Sequence, residues 1–210
     1  YNLADAVSSL ANISTKFRFR GISAHAAGAP ERGRSALDGV EAMNHMVNLM
    51  REHVPEATRM HYVTTYGGAA PNVVPDFTEV YHYVRHPDAA VVRELFERLV
   101  DTAEGAALGT ETQMEYEIIN GVYNLLPNVT LAQVIHANLT TVGGVEYTDE
   151  EMRFAEVIRE SLPEDARPMS AASEVKPFAA PTGARRGGGS TDVGDVSWAV
   201  PTAGLRAAPW

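Results

Sequence analysis

The stretch from Asn12 to Gly21 alternates residue by residue. Ile13, Thr15, Phe17 and Phe19 fall on one side; Ser14, Lys16, Arg18 and Arg20 fall on the other. A period of two sends successive side chains to opposite faces, so the segment reads as a half-buried strand with one wet face. Such a strand needs an element to cover its apolar side. The next periodic segment supplies one. Ser35 reads as a helix start, and Leu37, Val40, Met43, Val47 and Met50 then recur at helical spacing, with Pro55 closing the region. The Met residues lie on that stripe and read as core packing, not as ligands.

The periods keep switching along the chain. Met60 to Tyr66 is rich in Tyr, Val and Thr and reads as a second strand. Phe77 to Arg85 reads as a third, with Tyr81 and Tyr83 on the Phe77 side. Pro87-Asp88 opens a second helix whose Val92, Leu95, Phe96, Leu99 and Ala103 form the buried stripe. Glu111 to Ile119 reads as a fourth strand, with Thr112, Met114, Tyr116 and Ile118 one way and Glu111, Gln113, Glu115 and Glu117 toward water. The order β-α-β-β-α-β over residues 12–119 predicts an α+β, ferredoxin-like domain: a four-stranded antiparallel sheet with two helices on one face.

After Gly121 the character changes. Thr130 to Thr141 and Asp149 to Leu162 read as helices around a Gly143-Gly144 turn. Pro163 to Gly189 has no period, and the tail from Ala199 to Trp210 shows neither helix nor cap. This part cannot easily build a core alone, so 122–210 reads as a partial α/β segment of a second domain. The bulk numbers exclude some classes. A net charge of −10 argues against a nucleic-acid surface. Cysteine is absent, which removes disulfides and thiolate ligands. No apolar run is long enough for a membrane span, and the N-terminus lacks a signal-peptide pattern. The expectation is a cytoplasmic protein with no membrane partner.

Four places stand out as candidate sites. Gly21 to Arg34 reads GISAHAAGAPERGR; its small residues cannot bury His25, which is expected to stand in the open. By itself that is a surface histidine. Gly67-Gly68-Ala69-Ala70-Pro71-Asn72-Val73-Val74-Pro75 fixes an irregular loop around Asn72. Arg85 ends a strand, and Gly188-Gly189-Ser190-Thr191-Asp192 forms a glycine-rich turn.

Taken in order, Gly21-x-Ser23-Ala24-His25-Ala26-Ala27, Gly33-x-Ser35-Ala36-Leu37, Gly67-Gly68-x-x-Pro71-Asn72-Val73-Val74-Pro75, Arg85 and Gly188 to Asp192 match one family. The chain resembles the lid, or dimerisation, domain and returning catalytic segment of the co-catalytic zinc amidohydrolases and peptidases, such as aminoacylase and carboxypeptidase G. Ser190 to Trp198 and Gly105-Ala106-Ala107-Leu108 are similar in particular to its aminobenzoyl-glutamate utilisation branch. The resemblance implies hydrolysis of an N-acyl or N-aroyl amino acid, with p-aminobenzoyl-glutamate favoured, two zinc ions in the intact enzyme, and a homodimer joined through the lids. It implies that His25 donates to the tetrahedral oxyanion in the partner's site. Asn72 then hydrogen-bonds substrate, Arg85 holds a carboxylate through its planar fork, and Gly189, Ser190 and Thr191 line the substrate carboxylate.

The sequence departs from that family in having no His-x-Asp strand end and no Glu-Glu pair at the places where the family carries its zinc ligands and general base, and no His after the Pro201 region. A hydrolytic zinc site needs about three protein ligands per metal and a water. No metal ligand is assigned in this segment, and the chain alone is expected to be inactive. The alternative reading is a non-catalytic ferredoxin-like dimerisation or binding module.

Overall fold

The computed structural model describes residues 2–5, 7–163, 169–180 and 188–208. Part of the aperiodic stretch from Pro163 to Gly189 therefore lies outside the described residues. The chain forms two compact units, one of which is Ser9–Leu125 together with the turn that ends at Asp195. That turn follows the sheet, although the sequence groups it with 122–210.

In this unit the elements are β1 (Ala11–Arg20), α1 (Ala36–Met50), β2 (Arg59–Tyr66), β3 (Phe77–His86), α2 (Ala89–Thr110) and β4 (Gln113–Val122). The sheet order is β2-β3-β1-β4, every neighbour antiparallel. This is the ferredoxin-like arrangement expected from the switching periods. Phe17, Phe19, Val80 and Val84 join Val40, Met43 and Val47 of α1 and Leu95, Leu99 and Ala103 of α2 in one core, so both helices cover the same sheet face. Gly39 lets α1 come close: a Cβ there would lie 2.4 Å from the Phe19 ring. Ser35 caps α1 by accepting the Asp38 N–H at 3.2 Å, and Asp88 caps α2 by accepting the Ala90 N–H at 2.8 Å.

Several expectations are corrected in detail. Helix α1 stops at Met50, and a single tighter turn, Arg51–His53, leads to Pro55. The residue before a proline avoids the helical region, which favours an early stop. Glu111 is the left-handed cap of α2 at φ 52°, not the start of β4, and its carboxylate pairs with Arg34 at 2.6 Å. Strand β4 carries an irregularity opposite Ser14 and Thr15, and its Tyr116 and Ile118 stay largely exposed because β4 is a sheet edge. The wet face of β1 is only partly wet, since Asn12 and Ser14 are buried on it.

The other unit contains α3 (Val129–Val142) and α4 (Asp149–Arg159). Asn128 caps α3, and Thr148 with Glu151 forms a reciprocal capping box on α4. The tail is more ordered than its sequence implies: Gly204–Arg206 pairs antiparallel with Leu3–Asp5. Among the described residues its buried apolar side chains, Ala4, Ala132, Ala155, Ala171, Ala172 and Ala208, are all alanine, while Phe154 and Trp198 are 58% and 53% exposed.

Candidate functional site

His25 sits where two loops pair. The Ala26 N–H donates to Asn72 O at 3.0 Å, the Val74 N–H donates to Ala24 O at 2.9 Å, and His25 and Val73 form an antiparallel bridge. The Ser23 hydroxyl adds a bond to Val74 O at 3.0 Å. On its other side the loop is tied to the start of α1 by Ile22 and Arg34, which exchange bonds of 2.8 and 2.9 Å. Gly21 permits that approach, because a Cβ there would lie 1.9 Å from Arg34 O. The structure thus brings His25 and Asn72 together, both exposed, at the Arg20/Phe77 end of the sheet.

The imidazole is oriented by its own loop. Nδ1 accepts from the backbone N–H of Ala27 at 3.2 Å and of Gly28 at 3.0 Å. Two donors aimed at Nδ1 assign the ring proton of the neutral imidazole to Nε2. A donor on a fixed loop, with its second nitrogen already occupied, is the arrangement that polarises a carbonyl or holds an oxyanion. The Asn72 side chain makes no hydrogen bond with any described residue, which leaves its amide available to a ligand.

Arg85 is elsewhere. In the β1–β3 register Phe77 stands opposite Arg20, and Arg85 stands opposite Asn12. Eight residues of strand separate the ends, roughly 26 Å at the usual rise. Arg85 lies over the Tyr83 ring at 5.0 Å, and its buried Nε has no hydrogen-bond partner among the described residues. The Gly189-Ser190-Thr191 turn is at this second end, where Gly189 O accepts the Leu10 N–H at 3.0 Å. Asp195 continues that turn, and its carboxylate accepts the Tyr123 N–H at 2.8 Å. The Ser190 hydroxyl is buried without a partner among the described residues. One chain therefore places its sequence-predicted residues in two groups, His25 with Asn72 and Arg85 with the 189–191 turn.

Sequence reasoning missed two polar features. His82, on β3, is buried in the core and bonds Asn44 Oδ1 at 3.1 Å through Nε2. Burial, with a smaller effect from the Arg51 charge, pushes its pKa down to about 3. Its position in the Thr78-Val80-His82-Val84 alternation was the available signal. On the opposite face, the Tyr81 hydroxyl lies 3.3 Å from Ser14 Oγ and 3.3 Å from the Tyr83 hydroxyl. Glu79 lies near the middle of that face. Burial pushes its carboxyl up, but bonds from Lys16, Arg18 and Thr65 outweigh this and hold it at about 2.

Among the described residues no three His, Asp or Glu side chains converge as a metal site requires. The zinc pair implied by the sequence resemblance has no ligand set there, and no step of the chemistry proposed for this chain runs through it. No helix among the described residues is long and apolar enough to cross a membrane.

Comparison with known proteins adds to this geometry. One subunit of the p-aminobenzoyl-glutamate hydrolase of Escherichia coli (strain K12) is 38% identical over 218 residues, covering 92% of this chain and 45% of that protein. The Xaa-Arg dipeptidase of Mus musculus is 28% identical over 135 residues, covering 64% of this chain and 31% of that protein. The chain thus spans less than half the length of these relatives. Among solved structures, the aminobenzoyl-glutamate utilization protein from Klebsiella pneumoniae superposes with a TM-score of 0.56 at 24% identity, over 68% of this chain and 36% of that one. An amidase of the hydantoinase/carbamoylase family from Burkholderia vietnamiensis gives 0.57 at 21% identity, over 65% of this chain and 34% of that one. Those two likenesses speak to the fold. A model of the peptidase dimerisation domain matches residues 11–111, which span β1 through α2 and contain His25, Asn72 and Arg85. On the fold, the relatives and this match together, the β-α-β-β-α-β unit of this chain belongs to the peptidase dimerisation domain family.

Proposed function

We propose that the chain is the lid and a returning catalytic-domain segment of a metal-dependent amidohydrolase. The substrate class is an N-acyl or N-aroyl amino acid, with p-aminobenzoyl-glutamate favoured. The observation that carries this reading is the His25 ring, whose Nδ1 is held by the Ala27 and Gly28 N–H groups so that Nε2–H is the outward donor. In the reaction His25 donates to the oxyanion that forms as the amide is attacked. Asn72 bonds the acyl side of the substrate, and Arg85 with the Gly189-Ser190-Thr191 turn holds its carboxylate. The similarity to the p-aminobenzoyl-glutamate hydrolase of Escherichia coli supports that substrate class. The zinc ligands belong to other parts of the protein. The cytoplasm is the proposed compartment.

The two groups of residues sit at opposite ends of one sheet, so they serve one substrate only if two chains meet. Strand β2 is a sheet edge, with Tyr62, Val63 and Tyr66 exposed. An exposed edge pairs readily with another chain. A two-fold antiparallel pairing of β2 with its symmetry mate sets the Arg85 end of one sheet beside the His25 end of the other. Three strand spacings, roughly 14 Å, then separate the two β3 strands, against roughly 24 Å for pairing through β4. The proposed homodimer therefore joins through residues 12–119, with His25 acting in trans. The test is kinetic and hydrodynamic. In the full-length protein, His25→Ala lowers kcat by roughly 10²- to 10³-fold, the cost of one oxyanion donor, and light scattering gives twice the monomer mass. An unchanged kcat, or a fully active monomer, refutes the reading.

A further inference from the structure

The open face of the sheet, away from the helices, has its charges matched over most of its length. Glu79 accepts from Lys16 at 2.9 Å and from Arg18 at 2.8 Å. Arg18 also reaches Glu117 at 2.7 Å, and Arg20 pairs with Glu115 at 3.0 Å. The matching stops at the end where β1 begins. There Arg59 of β2 stands directly opposite Arg85 of β3, so both side chains leave the same face. Neither is ion-paired with a carboxylate among the described residues.

Like charges placed directly opposite each other destabilise a sheet. Other features at this end share the mismatch. Arg85 Nε is buried without a partner among the described residues. Asn12, its neighbour across β1 and only 3% exposed, has a buried Oδ1 that is likewise unpartnered there. His61, next on the same face of β2, has its pKa lowered by burial first and then by the charges of Arg85, Arg51 and Arg59. In a chain of net charge −10, this is a local excess of positive charge. Arg59 is also held in place: its Nη1 donates to Thr58 O at 2.7 Å and Glu56 O at 3.0 Å, which leaves the rest of the fork to a ligand.

We propose that Arg59 is a specificity residue for a dicarboxylic amino acid. Arg85 takes one carboxylate, as the proposed function already requires, and Arg59 takes the second, which an acidic side chain such as that of glutamate supplies. The ligand's two negative charges relieve the repulsion between the paired guanidinium groups, so the dianion gains more here than a monoanion does.

The test uses the 210-residue chain and two probes, N-benzoyl-glutamate and N-benzoyl-alanine, titrated at low salt with binding followed by NMR. Arg59→Gln is expected to weaken N-benzoyl-glutamate by about tenfold, the equivalent of one charge-assisted hydrogen bond, and to leave N-benzoyl-alanine unchanged. Arg59→Lys retains most of the preference, and Arg85→Gln weakens both probes. If Arg59→Gln affects both probes equally, or neither, while Arg85→Gln weakens both, the role of Arg59 is overturned and that of Arg85 survives. If neither probe binds, or Arg85→Gln leaves both unchanged, the carboxylate site itself is refuted along with it.

Discussion

Acid should loosen the sheet domain well above the pH at which Glu79 loses its charge, and His82 is the reason. Its side chain is 1% exposed, packed edge-on against Phe17 at 5.7 Å and beside Tyr62 at 5.0 Å. Nε2 faces Asn44, and Nδ1 has no partner among the described residues, so a second ring proton would find no acceptor there. The folded pKa of about 3 lies below the unfolded value of 6.5. The unfolded chain therefore binds the proton first. The stability contribution is complete above pH 6.5 and is lost as pH falls from there toward 3. Each pH unit in that window costs about 1.4 kcal/mol. Between pH 6.5 and 4.5 the loss from this one group is about 2–3 kcal/mol. Glu79, held at about 2 against an ordinary 4.5, adds its own loss only below pH 4.5. His61 is shifted the same way by burial and nearby arginines and adds to the slope. The assay is urea unfolding of the 210-residue chain at pH 7, 5.5 and 4.5, with amide exchange at Val80 and Val84 reporting the sheet itself. His82→Leu should remove most of the pH dependence in that window. A His82→Leu slope equal to the parent's would refute the argument.

Gly39→Ala gains helix propensity of about 1 kcal/mol but drives a methyl into the fully buried Phe19 ring, at a cost of about 1–3 kcal/mol. The net expectation is a loss of up to about 2 kcal/mol in urea unfolding, and a stabilised variant would show that α1 sits farther from the sheet. The 210-residue chain, purified without a tag, should retain no stoichiometric zinc by atomic absorption and hydrolyse no N-acyl amino acid; zinc at one equivalent would mean that ligands have been overlooked.

The periodic segments were legible because each carries its own contrast between apolar and polar sides. Phe17 and Phe19 are core, as the alternation around Lys16 and Arg18 implies. On β3 the alternation placed Tyr81 and Tyr83 with Phe77 correctly, but that is the open face. The core instead takes Thr78, Val80, His82 and Val84, a row whose polar members disguise it. Whether an alternating row is inner or outer depends on where the helices land, which is a tertiary fact. The same holds for the site. The distance of Arg85 from the Gly21 end could be counted along the strands, whereas the pairing of Ala24 and Ala26 with Val74 and Asn72 joins loops some fifty residues apart and leaves no periodic trace. The strand Gly204–Arg206 was illegible for a like reason, because its partner is Leu3–Asp5 at the other terminus.

The opposite placement of His25 and Arg85 on one sheet also has a genetic consequence. Under the proposed two-fold assembly, each substrate site draws its histidine from one chain and its arginine from the other. A protein carrying His25→Ala and a protein carrying Arg85→Gln would each be crippled in both of their sites. Mixed together, they would form heterodimers in which one site inherits both defects and the other inherits neither. With random exchange of protomers, about half of the dimers are mixed and each has one intact site, so about a quarter of the parental activity returns. Two defective alleles would thus complement each other in one cell, although neither chain has been repaired.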